Sequence, residues 1–258
     1  MIVISSRQNP LVKKVISLKQ KKWREEYRKY IIEGLKNVRE ALSFGVDIDY
    51  IFIDSGQDSL IEEFAYLTDR VILVAESIFK ELSDTKTPQG VIALASFYSY
   101  SLDNILRDGN IFLVLDRIQD PGNMGTLIRS ADAFGVEGIL ISKGSVDIYS
   151  PKVVRAAMGS IFHVPFVYAD IWEIIKTLKE NKIVTLATTP YAEKNIRDAY
   201  IKPPVAIFLG NEANGLDGNI IDACDEKVRI YMKGKAESLN VSIAGSIIMH
   251  EILLKIHR

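Results

Sequence analysis

The sequence predicts an α/β protein with a parallel sheet in its C-terminal half. Short apolar runs alternate with helix-length segments along most of the chain. In the second half these runs are almost wholly apolar, as in strands covered on both faces. A polar stretch at 97–109 interrupts the pattern. It divides the chain into a small domain at 1–98, a linker at 99–109 and a larger domain at 110–258. A chain of 258 residues has ample material for one or two packed cores.

The first thirty residues form a basic arm. Arg7, Lys13, Lys14, Lys19, Lys21, Lys22, Arg24, Arg28 and Lys29 face only Glu25 and Glu26. Such an arm reads either as a phosphate-binding footprint or as a solvated amphipathic helix. In the small domain, strands are expected from Tyr30 to Ile32, Tyr50 to Ile53, Val71 to Val74 and Val91 to Ala95. Helices are expected from Leu35 to Phe44, Leu60 to Leu67 and Ile78 to Leu82. In the larger domain, strands are expected at 111–115, 138–141, 183–187, 205–209 and 228–230. Helices are expected at 126–134, 152–158, 171–179, 218–223 and 241–256.

Composition narrows the class. Hydrophobic residues make up 48% and charged residues 25%, ordinary for a globular protein. No apolar run has bilayer-spanning length, and the N-terminus does not read as a signal peptide. One cysteine, Cys224, excludes an intramolecular disulfide and a cysteine-rich metal site. The expectation is a cytoplasmic protein with no membrane partner and no metal. His163, His250 and His257 lack ligand-spaced partners and read as structural or surface residues. No dinucleotide fingerprint, nucleophile elbow or complete P-loop is present; Leu216 stands where a P-loop needs lysine.

Three polar segments carry the chemistry. The first, Asp116 to Arg129, follows an apolar strand and contains Pro121-Gly122-Asn123-Met124-Gly125, read as a turn before a helix beginning at Thr126. The second runs from Leu209 to Leu216, and the third from Glu237 to Ser242. Asn123 and Asn240 each donate and accept hydrogen bonds, suiting a ribose edge or a loop clamp. Gly122 to Gly125 alone also fits the G-x-x-G backbone clamp of KH modules.

Together these segments resemble the motifs of the SpoU family, the TrmH-like 2′-O-ribose RNA methyltransferases of the SPOUT superfamily. Motif 1, D-x-x-x-D-P-x-N-x-G-x-x-x-R, is met from Asp116 to Arg129. Motif 2, G-x-E-x-x-G-L, is met by Gly210, Glu212, Gly215 and Leu216. Motif 3, S-L-N-V-S, is met from Ser238 to Ser242. A fourth family-like stretch runs from Ser150 to Ser160. The N-terminal half is similar to the L30e-like RNA-binding domain that precedes the catalytic domain in many members, through Arg24 to Gly34.

The resemblance implies a deep trefoil knot in the C-terminal domain, an exception among folds. It implies S-adenosylmethionine as cofactor, held around Leu209, Gly210, Ile230, Met232 and Leu239. Without the motif order, Ile230 and Leu239 would read as ordinary core packing rather than as cofactor walls. It implies methyl transfer to a ribose 2′-hydroxyl, with Asn123, Arg129, Glu212, Ser238 and Asn240 as the polar set. Arginine is a poor base, so Arg129 is expected to polarise or position the ribose or its phosphate. Glu212 is expected to anchor Arg129 or Asn123. RNA contacts are expected from Arg7, Lys13, Lys14, Lys22, Arg24, Lys152 and Arg155, the last two near the start of their helix. The accessory domain implies ribosomal RNA, 23S in particular, and the family implies a homodimer in which one subunit's arginine serves the other's site. The alternatives are a tRNA 2′-O-methyltransferase, a base methyltransferase and a non-catalytic RNA-binding assembly factor. Two positions depart from the family: Tyr231 replaces the usual proline, and Ala213 follows Glu212 where glycine is common.

Overall fold

The structure is a computed structural model describing residues 3–107 and 109–256; His257 lies outside them. The first elements are β1 (Val3–Ile4), α1 (Pro10–Ser17), α2 (Lys21–Tyr27), β2 (Lys29–Glu33), α3 (Leu35–Ser43) and β3 (Ile48–Asp54). Next come α4 (Asp58–Glu63), a 3-10 turn at Ala65–Leu67, β4 (Val71–Val74), α5 (Glu76–Leu82) and β5 (Val91–Ser96). The chain continues with α6 (Leu102–Leu106), β6 (Ile111–Leu115), α7 (Pro121–Ala133), β7 (Gly138–Ser142) and α8 (Pro151–Ala157). After a 3-10 turn at Ser160–Phe162 follow β8 (Phe166–Ala169), α9 (Ile171–Glu180), β9 (Val184–Thr188) and β10 (Val205–Leu209). It closes with α10 (Gly218–Ala223), β11 (Glu226–Val228) and α11 (Val241–Ile256).

The chain divides into two compact units. Unit 1 is Met1–Tyr98 with Asp147–Phe162, and unit 2 is Ser99–Val146 with His163–Arg258. The segment 147–162, expected within the larger domain, therefore packs with the N-terminal unit. Unit 1 has a mixed sheet ordered β1-β4-β3-β5-β2, with β5 antiparallel to both neighbours. Its core includes Val12, Val15 and Leu18 from the basic arm, packed with Phe52, Phe79 and Leu94. The arm is thus built into the unit: the apolar stripe of α1 is buried while its lysines face outward or partly outward.

Unit 2 has a six-stranded parallel sheet ordered β11-β9-β10-β6-β7-β8. The expected linker belongs to it. Within 99–109 lies α6, capped by the Ser101 hydroxyl, and its Ile105 and Leu106 are buried in the core. A Cβ on Gly138 would lie 2.1 Å from Ile105 Cγ2, so that helix seats directly on the sheet. The polar residues between its apolar positions masked a short amphipathic turn. Strand β8 was also missed; it is four residues long and exposes Tyr168.

Strands β6 and β10 pair from Ile111 with Val205 to Leu115 with Leu209. Their following loops therefore leave the sheet side by side. The chain proceeds from β6 to β7 on one side and from β10 to β11 on the other. Divergence of neighbouring loops at the carboxyl ends of parallel strands leaves a crevice, the usual place for a ligand in such sheets.

Candidate active site

Leaving β6, Asp116 is buried and accepts hydrogen bonds from the Ser142 hydroxyl (2.8 Å) and Arg117 Nε (2.9 Å). The Arg117 N–H donates to Ser142 Oγ at 3.0 Å. This triangle holds Arg117 at φ 54, a left-handed conformation that non-glycine residues seldom adopt. Asp120 then caps α7, its Oδ1 accepting the Asn123 N–H at 2.8 Å, and Pro121 opens the helix. The stretch Pro121 to Gly125 is therefore the helix's first turn, not a turn preceding it. Proline at the first helical position after an aspartate cap is a start signal, which outweighs the glycines. Asn123 sits in that first turn, and Arg129 lies more than two turns in rather than one.

The β10 loop closes over this helix start. A Cβ on Gly210 would come within 2.2 Å of Gly215 C and Leu216 N, so only glycine lets the loop fold back on itself. Asn211 and Gly215 exchange backbone hydrogen bonds at 3.1 and 2.9 Å. The Asn211 carboxamide donates to Arg117 O at 2.9 Å, tying the two loops together. Glu212 thereby meets the N-terminus of α7, where a carboxylate is favoured. It accepts from Gln119 N–H (3.1 Å), Asp120 N–H (3.0 Å) and Asn123 Nδ2 (3.1 Å). Burial raises the Glu212 pKa, but the hydrogen bonds outweigh it and hold the carboxyl below its ordinary value.

The third loop completes the chain. Asn240 Nδ2 donates to Asn123 Oδ1 at 3.0 Å. Its own Oδ1 accepts from the N–H and hydroxyl of Ser242, at 2.9 and 2.6 Å. Ser242, Asn240, Asn123 and Glu212 thus form one hydrogen-bonded line across three loops. Ser238 and Arg129 are exposed and outside that line. Among the described residues Arg129 has no hydrogen-bond or ion-pair partner, and Glu212 anchors Asn123 rather than Arg129. Six helical positions separate Asn123 from Arg129, about 9 Å along the axis and about 120° around it. The two side chains leave different faces of α7.

Beside this line lies a cleft lined by Thr188, Val228, Ile230, Met232, Ser238, Leu239, Ala244 and Ile248, with Thr189, Pro190 and Arg229 at its edges. The cleft encloses about 100 Å³ and opens to solvent. Ile230, Met232 and Leu239 come together here as expected positions. Among the described residues their backbone N–H and C=O groups have no protein partner, an arrangement suited to a flat heterocycle with polar edges. Leu209 and Gly210 do not line it: Leu209 is buried against α11 near Gly245, and Gly210 is filled by its own loop. Thr188, Ala244 and Ile248 were not anticipated, since in sequence they belong to ordinary strand and helix patterns.

The expected RNA contacts, in unit 1, are unequal. Arg24 is buried, ion-paired to Asp147 at 2.6 Å and donating to Leu18 O at 2.7 Å. It does not belong to a phosphate-binding set, because its charge is spent inside the unit. Arg155 lies in the last turn of α8, not near its start, and pairs with Asp84 at 3.0 Å. Arg7 pairs with Glu81 at 2.8 Å. Lys13 and Lys152 are exposed without partners among the described residues. Lys14 and Lys22 lie over the Tyr27 and Trp23 rings, 5.1 and 5.0 Å from their centroids.

A profile of the SpoU rRNA methylase family matches residues 110–250, and one of the MRM3-like substrate binding domain matches residues 9–93. The chain is 29% identical over 254 residues to the 23S rRNA (guanosine(2553)-2′-O)-methyltransferase RlmP of Bacillus subtilis, covering 96% of this chain and 98% of that one. The crystal structure of an AdoMet-bound rRNA methyltransferase from Sinorhizobium meliloti superposes with a TM-score of 0.88 at 33% identity, covering 97% of this chain and 96% of that one. The AdoMet complex of the SpoU methyltransferase AviRb from Streptomyces viridochromogenes gives 0.87 at 26% identity, over 96% and 98%. With three motifs joined at one crevice and the catalytic profile spanning more than half its length, this chain belongs to the SpoU family of RNA 2′-O-ribose methyltransferases.

Proposed function

We propose that the protein methylates a ribose 2′-hydroxyl in 23S ribosomal RNA, acting in the cytoplasm as a homodimer. The observation that carries this reading is the hydrogen-bonded line from Ser242 through Asn240 and Asn123 to Glu212, joined directly to the cleft because Leu239 precedes Asn240. Similarity over the whole chain to an enzyme named for 23S rRNA supports the target. No helix among the described residues is long and apolar enough to cross a membrane.

The cleft fits the cofactor. Its apolar walls at Ile230, Leu239 and Ile248 suit an adenine, and the open backbone groups at 230, 232 and 239 suit its edge. When bound, S-adenosylmethionine supplies a methyl group on a positively charged sulfur. The methyl would pass to the ribose oxygen and leave S-adenosylhomocysteine as a neutral thioether, and the hydroxyl proton would pass to solvent water at the open cleft mouth. Glu212 is saturated by donors and serves as an anchor that orients Asn123, not as a base. Asn123 and Asn240 fix the rim at which the ribose lies, with Ser238 at the cleft mouth. Arg129 contributes a positive charge for the phosphate and the developing oxyanion; its guanidinium carries only donors and takes no proton from the hydroxyl. Its divergence from Asn123 on α7 favours delivery to the site of a second subunit.

Transfer of tritiated methyl to undermethylated total RNA tests the reading, with alkali-resistant dinucleotides as the expected product. A protein that binds cofactor yet labels no RNA would refute it. Alkali-labile product would point to a base as the methyl acceptor.

A further inference from the structure

Unit 2 has a second cavity at the carboxyl edge of its sheet, and no step of the methyl transfer uses it. It encloses about 320 Å³, and its polar and aromatic lining includes Arg117, Lys143, Asp170, Trp172, Asp217 and Asn219. Side chains alternate between the two faces of a strand, so Phe208 and Leu209 point to opposite sides of β10. Phe208 shares a core cluster with Ile174 of α9 and Ile220 of α10, whereas Leu209 lies against α11 at Gly245. The cavity opens at the starts of α9 and α10, while Ala244 and Ile248 of α11 line the cofactor cleft. The two therefore lie on opposite faces of one sheet.

Three kinds of chemistry meet in the cavity wall. The first is positive charge. Asp116 accepts from Arg117 Nε at 2.9 Å, and the terminal nitrogens of that exposed guanidinium have no partner among the described residues. Lys143 is exposed, and its ammonium likewise has no partner among the described residues. The second is a pair of half-used carboxylates. One oxygen of Asp170 accepts the Trp172 N–H at 2.9 Å. One oxygen of Asp217 accepts the Asn219 N–H and carboxamide, at 2.9 and 3.0 Å. The other oxygen of each has no donor among the described residues. The third is an indole: Trp172 is half-exposed in the first turn of α9. A large aromatic face left to water beside free cations is a stacking surface.

A free phosphate suits the cations but faces two carboxylates and leaves the indole unused. An ammonium suits the carboxylates but faces Arg117 and Lys143. Uracil has a single N–H between two carbonyls, and those carbonyls oppose the carboxylates. Guanine matches all three features. Its N1–H and N2–H2 are adjacent donors, its O6 and N7 are the acceptors that arginine and lysine read most often, and its ring stacks on an aromatic face. We propose that this cavity is a subsite for one unpaired guanine of the RNA, its N1–H and N2–H2 meeting Asp170 and Asp217, its O6 and N7 meeting Arg117 and Lys143, and its ring lying on Trp172. That guanine is a neighbour of the methylated nucleotide, not the nucleotide itself, because the cofactor cleft lies on the other face. The proposal rests on the reading of the protein as an RNA methyltransferase, and it gives the catalytic unit its own part in choosing the target.

The chain has two tryptophans, Trp23 and Trp172. The full-length protein labelled with 5-fluorotryptophan therefore gives two fluorine NMR resonances, and Trp172→Phe identifies the one in the cavity. Guanosine monophosphate is expected to shift that resonance at a lower concentration than inosine or uridine monophosphate, which lack the 2-amino group, while ribose 5-phosphate leaves it in place. Equal responses to guanosine and uridine monophosphates, a response to ribose 5-phosphate, or none to any nucleotide would each overturn the proposal. Asp170→Asn and Asp217→Asn keep the oxygen that caps the helix and turn the free one into a donor. At least one of them is expected to erase the preference for guanosine over inosine monophosphate; its survival in both would also overturn the proposal. Trp172→Ala is expected to raise the KM for ribosomal RNA about tenfold, the loss of roughly one stacked base, and Trp172→Phe to recover most of it. Binding of S-adenosylhomocysteine, followed by calorimetry, reports whether the alanine variant is folded. An unchanged KM would remove the subsite while wild-type methyl transfer stood; absence of wild-type transfer would instead strike the functional reading itself.

Discussion

Arg129 and Glu212 carry charge at the candidate active site in different ways. Arg129 is exposed and unpaired, so its positive charge is available to RNA. Arg129→Ala is expected to lower transfer by about 10²–10³-fold, the usual loss when one transition-state contact of this kind is removed. Cofactor affinity, measured by calorimetry with S-adenosylhomocysteine, should hold within about twofold, since no Arg129 atom lines the cleft. A variant that loses cofactor binding would place Arg129 in the cofactor site instead. Glu212 works inward. Its folded pKa is depressed, so its contribution is complete above the ordinary carboxylate range and is lost as pH falls through the lower folded value. Single-turnover transfer should therefore show no Glu212-dependent acid limb until pH drops below that of an ordinary glutamate. Glu212→Gln sets a donor against the amides of Gln119 and Asp120. It is expected to slow transfer about tenfold or more at every pH, because Asn123 loses its anchor.

At the scale of elements, the decisive contacts are caps and close crossings. Asp120→Ala removes the acceptor of the Asn123 N–H at the start of α7. It is expected to cost about 1 kcal/mol in urea denaturation. A larger fall in kcat than that loss explains would show that the cap also aligns the Asn123 side chain. Gly245 lets α11 approach α7 and β10: a Cβ there would come 2.5 Å from Leu209 Cδ1 and 2.6 Å from Leu127 Cδ2. Strands β6, β7, β9 and β10 were legible because their runs are almost wholly apolar, whereas β8 was missed and β11 starts two residues before the expected run; the starts of α10 and α11 were legible beside Asp217 and Asn240. The start of α7 was not, because Pro121-Gly122 fits both a turn and a helix N-terminus, and only the Asp120 cap decides. The candidate site was legible as a set of motifs. What the sequence hides is direction: Asn123 faces Glu212 and Asn240, Arg129 faces away, and Gly210 serves its own loop. The same limit applies to Arg24, whose burial depends on Asp147, more than a hundred residues later in the chain.

At the scale of the whole molecule, the open question is how Arg129 reaches a target. Within one subunit it leaves α7 about 120° around from Asn123, so a site built from one chain alone has its anchor and its cation on different faces. A symmetric dimer resolves this if each subunit supplies the arginine for the other's cleft. The consequence is complementation between two inactive variants. Arg129→Ala keeps the cleft and lacks the cation. Ala244→Trp fills the cleft with an indole and keeps the cation. Mixed and allowed to exchange subunits in equal amounts, half the dimers are heterodimers, each with one complete site. Activity should then recover to roughly a quarter of wild type. If Arg129 serves its own subunit, neither site of the heterodimer is complete and the mixture stays inactive. Sedimentation equilibrium on the same samples separates that outcome from a failure to associate: a monomeric wild-type protein with full activity would require the arginine to act within one chain.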